Sequence, residues 1–384
     1  MGSVSIRPVR GRRDLKRFVK VPFRLHRDSP QWVPPLIFER MQFLNRDRNP
    51  YFAHAEAEYF IAERDGEPVG RITAQADERW DEYQGGSDAM FGFFEAADDP
   101  EVFAALLDAA SDWARERGRE RLLGPMDFTT NDELGILIEG YERRPYILEL
   151  WHPPYYRELM EGQGMSKAMD LLMWELNFGD LKEGEQFDPS IHAAAKKALE
   201  DEGISIRNMR KREMAAEVRR FMDVYNEAWG RNWGFVPITD AEVEFQAKNL
   251  KQVLDEDWAY IAEKDGETVG AALTLPDVNQ VLAGMNGRLL PFGWLKFLRG
   301  RSRVDRLRVF ALGVKQAYRH SGVAAGLYLK HLETAAQPGA IKGGEMGWIL
   351  ETNEPMNRAM EGMGGKVVKR YRLYERSLGE GPGA

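Results

Sequence analysis

Cysteine is absent from all 384 residues, which excludes disulfides, a thiolate nucleophile and any Cys-ligated metal. Histidine is scarce: six residues, scattered, without the spacing of a zinc site, so no metal is expected. Basic excess is also lacking. The formal net charge of −8 argues against a nucleic-acid partner, which needs cations to follow phosphates. No apolar run is long enough to span a bilayer, and the basic N-terminus lacks the apolar stretch of a secretory signal. These absences leave a cytoplasmic protein, with peripheral contact at the inner face of the membrane still open.

What is present suffices for two cores. Hydrophobic residues make up 43% of the chain, with 10 Trp and 19 Phe, and 384 residues is a two-domain length. An internal repeat gives the same count. Ile61-Ala-Glu-Arg-Asp-Gly-Glu-Pro-Val-Gly70 returns as Ile261-Ala-Glu-Lys-Asp-Gly-Glu-Thr-Val-Gly270, identical at eight of ten positions. Ser5-Ile6-Arg7 matches Ser205-Ile206-Arg207, and Met160-Glu161-Gly162 with Gly164 matches Met360-Glu361-Gly362 with Gly364, all in one register. The chain therefore reads as two copies of a folding unit of roughly 175 residues.

Each copy opens with a short alternating strand, Val4 to Val9 and Ile204 to Met209, then a polar helical stretch, Arg10 to His26 and Lys211 to Trp229. A hairpin follows, Glu58 to Asp77 and Asp257 to Leu275, turning at Asp65-Gly66 and Asp265-Gly266. Copy one continues through Phe91 to Glu95 into Asp98-Asp99-Pro100 and a helix from Glu101 to Arg117. Copy two inserts a loop, Asn279 to Arg303, before a strand from Leu307 to Val314 and a helix from Gly322 to Ala336. The order predicts an α/β (α+β) fold, a mixed sheet with helices on both faces, twice over. Residues 1–178 form the first expected domain, 179–203 a linker, and 204–384 the second.

The segment Val314-Lys-Gln-Ala-Tyr-Arg319-His-Ser-Gly322-Val-Ala324 carries the most specific chemistry. A strand ends, a short loop turns, and a helix begins at once, so backbone N–H groups and the helix dipole converge on one anion-sized spot. In copy one the helix is led by Asp98-Asp99-Pro100, good caps that repel a phosphate.

With the hairpin upstream and Asn353, Met356, Met360 and Gly364 downstream, this pattern resembles the GNAT superfamily of acyl-CoA-dependent N-acyltransferases. The resemblance implies a coenzyme A pyrophosphate on Arg319, His320, Ser321, Gly322, Val323 and Ala324, with the pantetheine arm along Leu312, Gly313 and Val314. Acyl-CoA or acetyl-CoA would be the co-substrate. Copy one shares the fold signature without the loop, so it reads as a degenerate partner. The family's usual acid, a Tyr on the last helix, aligns with Met360, and a thioether donates no proton. Glu351 and Asn353 at the preceding strand end are the catalytic candidates, as base and orienting group. Tyr225, Tyr328, Tyr371 and Tyr374 are open as acids. Tyr225, Trp229 and Trp233 fall where the family shapes its acceptor pocket. His152, at the matching strand end of copy one, reads as a packed loop histidine or a cleft residue.

The insertion Gly287 to Arg301 sets Leu289, Leu290, Phe292, Trp294, Leu295, Phe297 and Leu298 among Arg288, Lys296, Arg299, Arg301 and Arg303. Two readings fit: an interfacial anchor on a membrane through 287–303, or a lid packed on copy one. Both put Phe292 and Trp294 beside a long acyl chain or a lipid-like amine. The tandem layout also resembles a group of double-GNAT proteins associated with bacterial ceramide synthases, which N-acylate a long-chain base. The expectation is an N-acyltransferase acting on a small-molecule or lipid amine, with an acyl-carrier protein as a possible donor. The alternatives are an acetyl-CoA-dependent N-acetyltransferase of a soluble amine and a non-catalytic CoA binder.

Overall fold

The computed structural model describes residues 2–177, 188–250, 253–335 and 341–379. Residue 178, part of the expected linker (179–187) and the expected helix end at Ala336 lie outside them. Two compact units emerge. One comprises Met1–Leu171, Val281–Leu298 and Lys369–Ala384, the other Leu172–Gln280 and Arg299–Val368. Units and sequence repeats thus divide the chain differently.

In chain order the elements are β1 (Val4–Pro8), α1 (Gly11–Val19), α2 (Val21–Leu25), α3 (Ile37–Phe43), β2 (Ala55–Arg64), β3 (Glu67–Asp77) and α4 (Glu78–Gln84). Then come β4 (Asp88–Ala96), α5 (Pro100–Arg115), β5 (Arg121–Gly124), β6 (Ile136–Glu139), α6 (Tyr155–Gly162) and β7 (Ser166–Asn177). The second half runs α7 (Pro189–Lys196), β8 (Ser205–Asn208), α8 (Met214–Trp229), α9 (Asp240–Leu250), β9 (Ala259–Lys264), β10 (Glu267–Pro276), α10 (Asn279–Leu282) and α11 (Gly293–Arg301). It ends with β11 (Arg306–Val314), α12 (Val323–Ala335), β12 (Gly343–Leu350), α13 (Glu354–Gly362) and β13 (Lys366–Ser377).

In the first unit the strand order is β1-β2-β3-β4-β5-β13-β7. The last strand of the chain completes this sheet, with Tyr374 opposite Gly124 and Ser377 opposite Arg121. In the second unit the order is β7-β12-β11-β10-β9-β8, the unit boundary falling inside β7. The polar stretch after β1 breaks into α1 and α2 at Val21-Pro22, because Pro has no N–H to continue a helix.

The repeat has a physical basis at its identical residues. Both hairpins turn through two residues in the left-handed region, Asp65 (φ 53°) with Gly66 (φ 80°) and Asp265 (φ 51°) with Gly266 (φ 82°), the demand of a two-residue hairpin loop. Arg7 Nε donates to Glu63 at 2.8 Å, and Arg207 Nε donates to Glu263 at 3.1 Å. Gly70 and Gly270 are small because a helix presses on the strand there. A Cβ at Gly70 would lie 2.7 Å from Leu106 of α5, and one at Gly270 2.7 Å from Val323 of α12.

Pleat geometry places the helices of the second unit. Gly270 is in register with Val314, so these two positions share a face of the sheet and Gly313 faces the opposite side. Gly270 abuts Val323 of α12 while Gly313 abuts Trp229 of α8, so the two helices cover opposite faces. The core between α12 and the sheet is built from Tyr260, Ala262, Val269, Ala272, Leu312 and Leu327.

Candidate active site

β11 and β12 run parallel and in register only from Arg306–Gly343 to Val309–Met346. On its other edge β11 stays paired with β10 as far as Val314, with a register shift that leaves Phe310 as an extra residue. Past Val309 the two parallel strands therefore part, and the β12-side edge of β11 turns toward a slot rather than a strand. Leu312, Gly313 and Val314 lie along that edge. Buried Arg308 anchors the base, donating from Nη2 to the Gly347 carbonyl at 3.2 Å, and it stands in register with buried Glu345.

From Val314 the chain makes one tight turn, Gln316–Tyr318, and reaches Gly322 at φ 82° before α12 begins at Val323. The first N–H to bond back into this helix is that of Gly326, to the Gly322 carbonyl at 3.0 Å. The N–H groups of Val323, Ala324 and Ala325 thus stand at the helix end, where an anion is favoured. Arg319 and His320 are exposed; Ser321 Oγ donates to the Tyr318 carbonyl at 2.7 Å. Gly322 is fixed twice over, since a Cβ there would sit 2.0 Å from the Ala194 carbonyl oxygen of α7.

The end of α8 braces this loop. Gln316 N donates to Glu227 Oε1 at 2.8 Å, and Arg319 Nη2 donates to the Ala228 carbonyl at 3.4 Å. Trp229 lies against Gly313, where a Cβ would meet the indole at 2.2 Å. Tyr225 stacks on Trp229 with ring centroids 4.6 Å apart, and Phe221 and Phe235 extend the aromatic wall. Trp233 is half-buried in the loop that follows. The structure thus brings Tyr225 and Trp229 to the same strand as the candidate donor slot. Phe292 and Trp294 belong to the other compact unit and are exposed.

At the end of β12, Glu351 is half-buried, and the Asn353 side chain accepts from Met356 N at 3.3 Å as the cap of α13. Met360 is 1% exposed and packs with Leu172, Trp174, Ile349 and Met363, so it is a core residue. Tyr328 is pushed above its ordinary value by burial, and its hydroxyl meets Met356 Sδ at 3.1 Å. Tyr371 and Tyr374 belong to the first unit, their hydroxyls bonded to the Leu150 carbonyl at 2.8 Å and Glu161 at 3.4 Å. Sequence reasoning missed Glu227 and Arg308. Neither carries a local signal, because both acquire their partners only when distant segments meet.

Copy one treats the same slot differently. Here β4 and β5 pair only from Asp88–Arg121 to Met90–Leu123. Beyond that point Met126 N donates to the Phe91 carbonyl at 2.7 Å, and Phe93 N donates to Asp127 Oδ1 at 2.6 Å. The chain's own backbone and one carboxylate fill the gap. Asp99 caps α5 through Glu101 N at 2.9 Å and pairs with Arg64, so the loop before this helix presents carboxylates. His152 is buried, accepts from Leu137 N at 3.1 Å, and is pushed down to about 4 by burial. It is a packed histidine. Among the described residues no group of His, Asp and Glu is arranged to hold a metal ion, and no helix is long and apolar enough to cross a membrane.

Over 382 residues the chain is 37% identical to the bacterial ceramide synthase of Caulobacter vibrioides, the match covering 98% of each. It belongs to that protein's family. Protein YghO of Escherichia coli K12 is 36% identical over 380 residues, covering 97% of this chain and 95% of that one. No family model matches. Among solved structures, a tandem GNAT protein from the clavulanic acid biosynthesis pathway superposes with a TM-score of 0.57 at 12% identity, over 98% of this chain and 99% of that one. A GCN5-related N-acetyltransferase from Sphaerobacter thermophilus gives 0.54 at 13% identity, over 98% and 96%. At such identities the structures show the fold, and the fold is the tandem GNAT fold. The chain is an acyltransferase of this GNAT type.

Proposed function

We propose that the protein moves an acyl group from acyl-CoA to the primary amine of a long-chain or lipid-like acceptor. The observation that carries this reading is the β11 edge left without a β12 partner at Leu312–Val314, leading to the Arg319–Ala324 loop, in a chain related over 98% of its length to a ceramide synthase. The diphosphate would sit on the N–H groups at the start of α12, with the pantetheine arm along the free edge of β11. Strand N–H groups there would stabilise the oxyanion of the tetrahedral intermediate. Glu351 takes the amine proton, directly or through water, and collapse of the intermediate breaks the C–S bond, with CoA leaving as the thiolate. Asn353 holds the turn that positions Glu351 while its own oxygen caps α13. Tyr225, Trp229 and Trp233 line the acceptor side.

In this reading copy one binds no donor, and residues 204–384 carry the donor site. An acyl-carrier protein presents the same thioester arm and can replace CoA. An amphiphilic acceptor goes with a cytoplasmic enzyme working at the inner face of the membrane. The test is calorimetric titration with acetyl-CoA and palmitoyl-CoA. Tighter palmitoyl-CoA binding supports the long-chain reading. Equal binding of both would leave an acetyltransferase of a soluble amine. Binding without turnover that is indifferent to Glu351→Gln would leave a CoA-binding protein.

A further inference from the structure

The first unit displays an apolar edge that the transfer reaction does not explain. Among the described residues eight large hydrophobic side chains are exposed, and four of them, Leu290, Phe292, Trp294 and Leu298, fall within one nine-residue stretch of the insertion. A fifth, Phe38 on α3, is 67% exposed. That concentration differs from the scattered single residues of an ordinary surface.

The stretch is held in place. Gly287 is buried, with no room for a Cβ beside Phe23 and the Pro35 carbonyl, and Ile37 N donates to the Gly287 carbonyl at 3.1 Å. The root of the insertion is therefore pinned to α2 and to the start of α3. The tip is folded tightly: Trp294 N donates to the Leu289 carbonyl at 2.8 Å, and the indole N–H donates to the Pro291 carbonyl at 3.0 Å. With the indole N–H satisfied internally, the ring offers an apolar surface without a polar debt. Along α11, Trp294, Leu298 and Arg301 stand at i, i+4 and i+7, one stripe that is apolar and then cationic.

Charge surrounds this edge. Arg288, Lys296, Arg299, Arg301 and Arg303 are all exposed, and no Asp or Glu occurs from 287 to 303. On the neighbouring side, α1 packs against α3 and carries Arg12, Arg13 and Lys16, with Lys20 at its end, all exposed. None of these nine cations has a carboxylate within ion-pair distance among the described residues. In a chain of net charge −8, that is a marked local excess.

We propose that the first unit docks on an anionic bilayer, with the apolar tip (Leu290, Phe292, Trp294, Leu298) and Phe38 in the acyl boundary and the cations of α1 and the insertion among the headgroups. Apolar rings with flanking cations have the chemistry of an interfacial anchor. A second copy of this chain fits worse, since a two-fold contact through this edge would set its cations against themselves. The proposal also gives the first unit a role: it carries α1, α3 and the tip of the insertion that copy two contributes. It goes beyond the reaction, because vesicle binding tests the surface and turnover tests the chemistry, and either can fail alone.

The experiment is co-sedimentation of the full chain with phosphatidylcholine vesicles and with phosphatidylcholine mixed with phosphatidylglycerol. The full chain should sediment with the mixed vesicles, release as salt is raised, and ignore phosphatidylcholine alone. Phe38→Ser/Leu290→Ser/Leu298→Ser should weaken binding by at least about tenfold. Arg12→Gln, Arg13→Gln, Lys16→Gln and Lys20→Gln should each cost about fivefold and flatten the salt dependence. Tyr83→Ser, which trims an exposed ring elsewhere, should change nothing. These side chains are exposed, so unchanged thermal melting checks that each variant folds. Absent sedimentation with either vesicle, or a triple variant that binds like the wild type, would overturn the proposal. So would a wild-type dimer that the triple variant converts to a monomer.

Discussion

Gly322→Ala is the most informative substitution, because the structure contains its own control. Gly322 and Gly266 share φ 82°, yet a Cβ at Gly266 would meet nothing within 4 Å, whereas one at Gly322 would meet the Ala194 carbonyl oxygen at 2.0 Å. Any L-residue pays about 1 kcal/mol for the left-handed region, so Gly266→Ala should lower Tm by about 2–4 °C. Gly322→Ala pays the same and must also move a backbone carbonyl or leave its φ. That adds about 1–3 kcal/mol, on the scale of overpacking a closed site.

Relief at Gly322 comes by swinging the loop, since the α7 backbone cannot retreat like a flexible side chain. The N–H groups of Val323 and Ala324 then lose their common aim. Calorimetry with acyl-CoA should show affinity falling at least about tenfold, the worth of one well-placed hydrogen bond to a charged group. Gly266→Ala should bind as the wild type does. Wild-type affinity in Gly322→Ala, or equal Tm losses in the two variants, would refute the placement of the diphosphate on this turn.

Three further outcomes follow from single contacts. Glu227→Gln removes a negative charge from the loop while keeping an acceptor for Gln316 N; acyl-CoA should bind about twofold to threefold tighter at low salt, a gain that shrinks as salt rises. Met360→Leu should cost less than about 1.5 kcal/mol and leave kcat unchanged, whereas Met360→Tyr should overpack the core by about 1–3 kcal/mol without raising kcat; a faster Tyr variant would mean the position faces the reaction. Burial, with the neighbouring Glu133 charge, pushes the Asp127 carboxyl well above its ordinary range. Its folded state therefore holds a proton that the unfolded state has lost, so Asp127 contributes stability that is lost as pH rises above about 4, against the opposite slope of His152 and His331, which burial pushes down to about 4. Asp127→Asn should erase that contribution in denaturant titrations. Glu95 does not mask it: burial opposes its charge, but His26 and Arg71 outweigh this and hold it at about 2, so its own slope ends by about pH 5.

Much of this was legible in the sequence where local chemistry dictates local shape. Asp65-Gly66 and Asp265-Gly266 fix their hairpins because few other residues accept two consecutive left-handed conformations. Asp99-Pro100 and Gly322 announce helix starts of opposite electrostatic character, and both helices begin there. The pairing of β13 with β5 was not legible, since nothing within Lys366–Ser377 names a partner some 250 residues away in sequence. The insertion offered two readings, a membrane anchor or a lid packed on copy one. Its root packs on copy one and its tip is exposed. Hydrophobicity alone does not divide a segment that way; the contact of Gly287 with Phe23 does.

On the proposed reading the two copies also differ in whether they can hold a donor. Each copy parts its two parallel strands after three or four paired residues, so the fold makes the slot twice. In copy one the slot is closed by Met126 N on the Phe91 carbonyl and by Asp127 on Phe93 N. That carboxylate accepts from the very strand edge a thioester oxygen would need. Asp98 and Asp99 stand before the next helix, and a charge of −1 about 5 Å from a phosphate costs near 1 kcal/mol even in water. Opening this slot would break two backbone-directed hydrogen bonds, at about 0.5–1.5 kcal/mol each. The penalties together exceed about 2 kcal/mol, a disadvantage of at least roughly thirtyfold against copy two. Acyl-CoA should therefore saturate at one molecule per chain in calorimetry, and Gly322→Ala should abolish that single phase. Two equivalent sites, or a site that survives the Gly322 substitution, would mean that copy one opens after all.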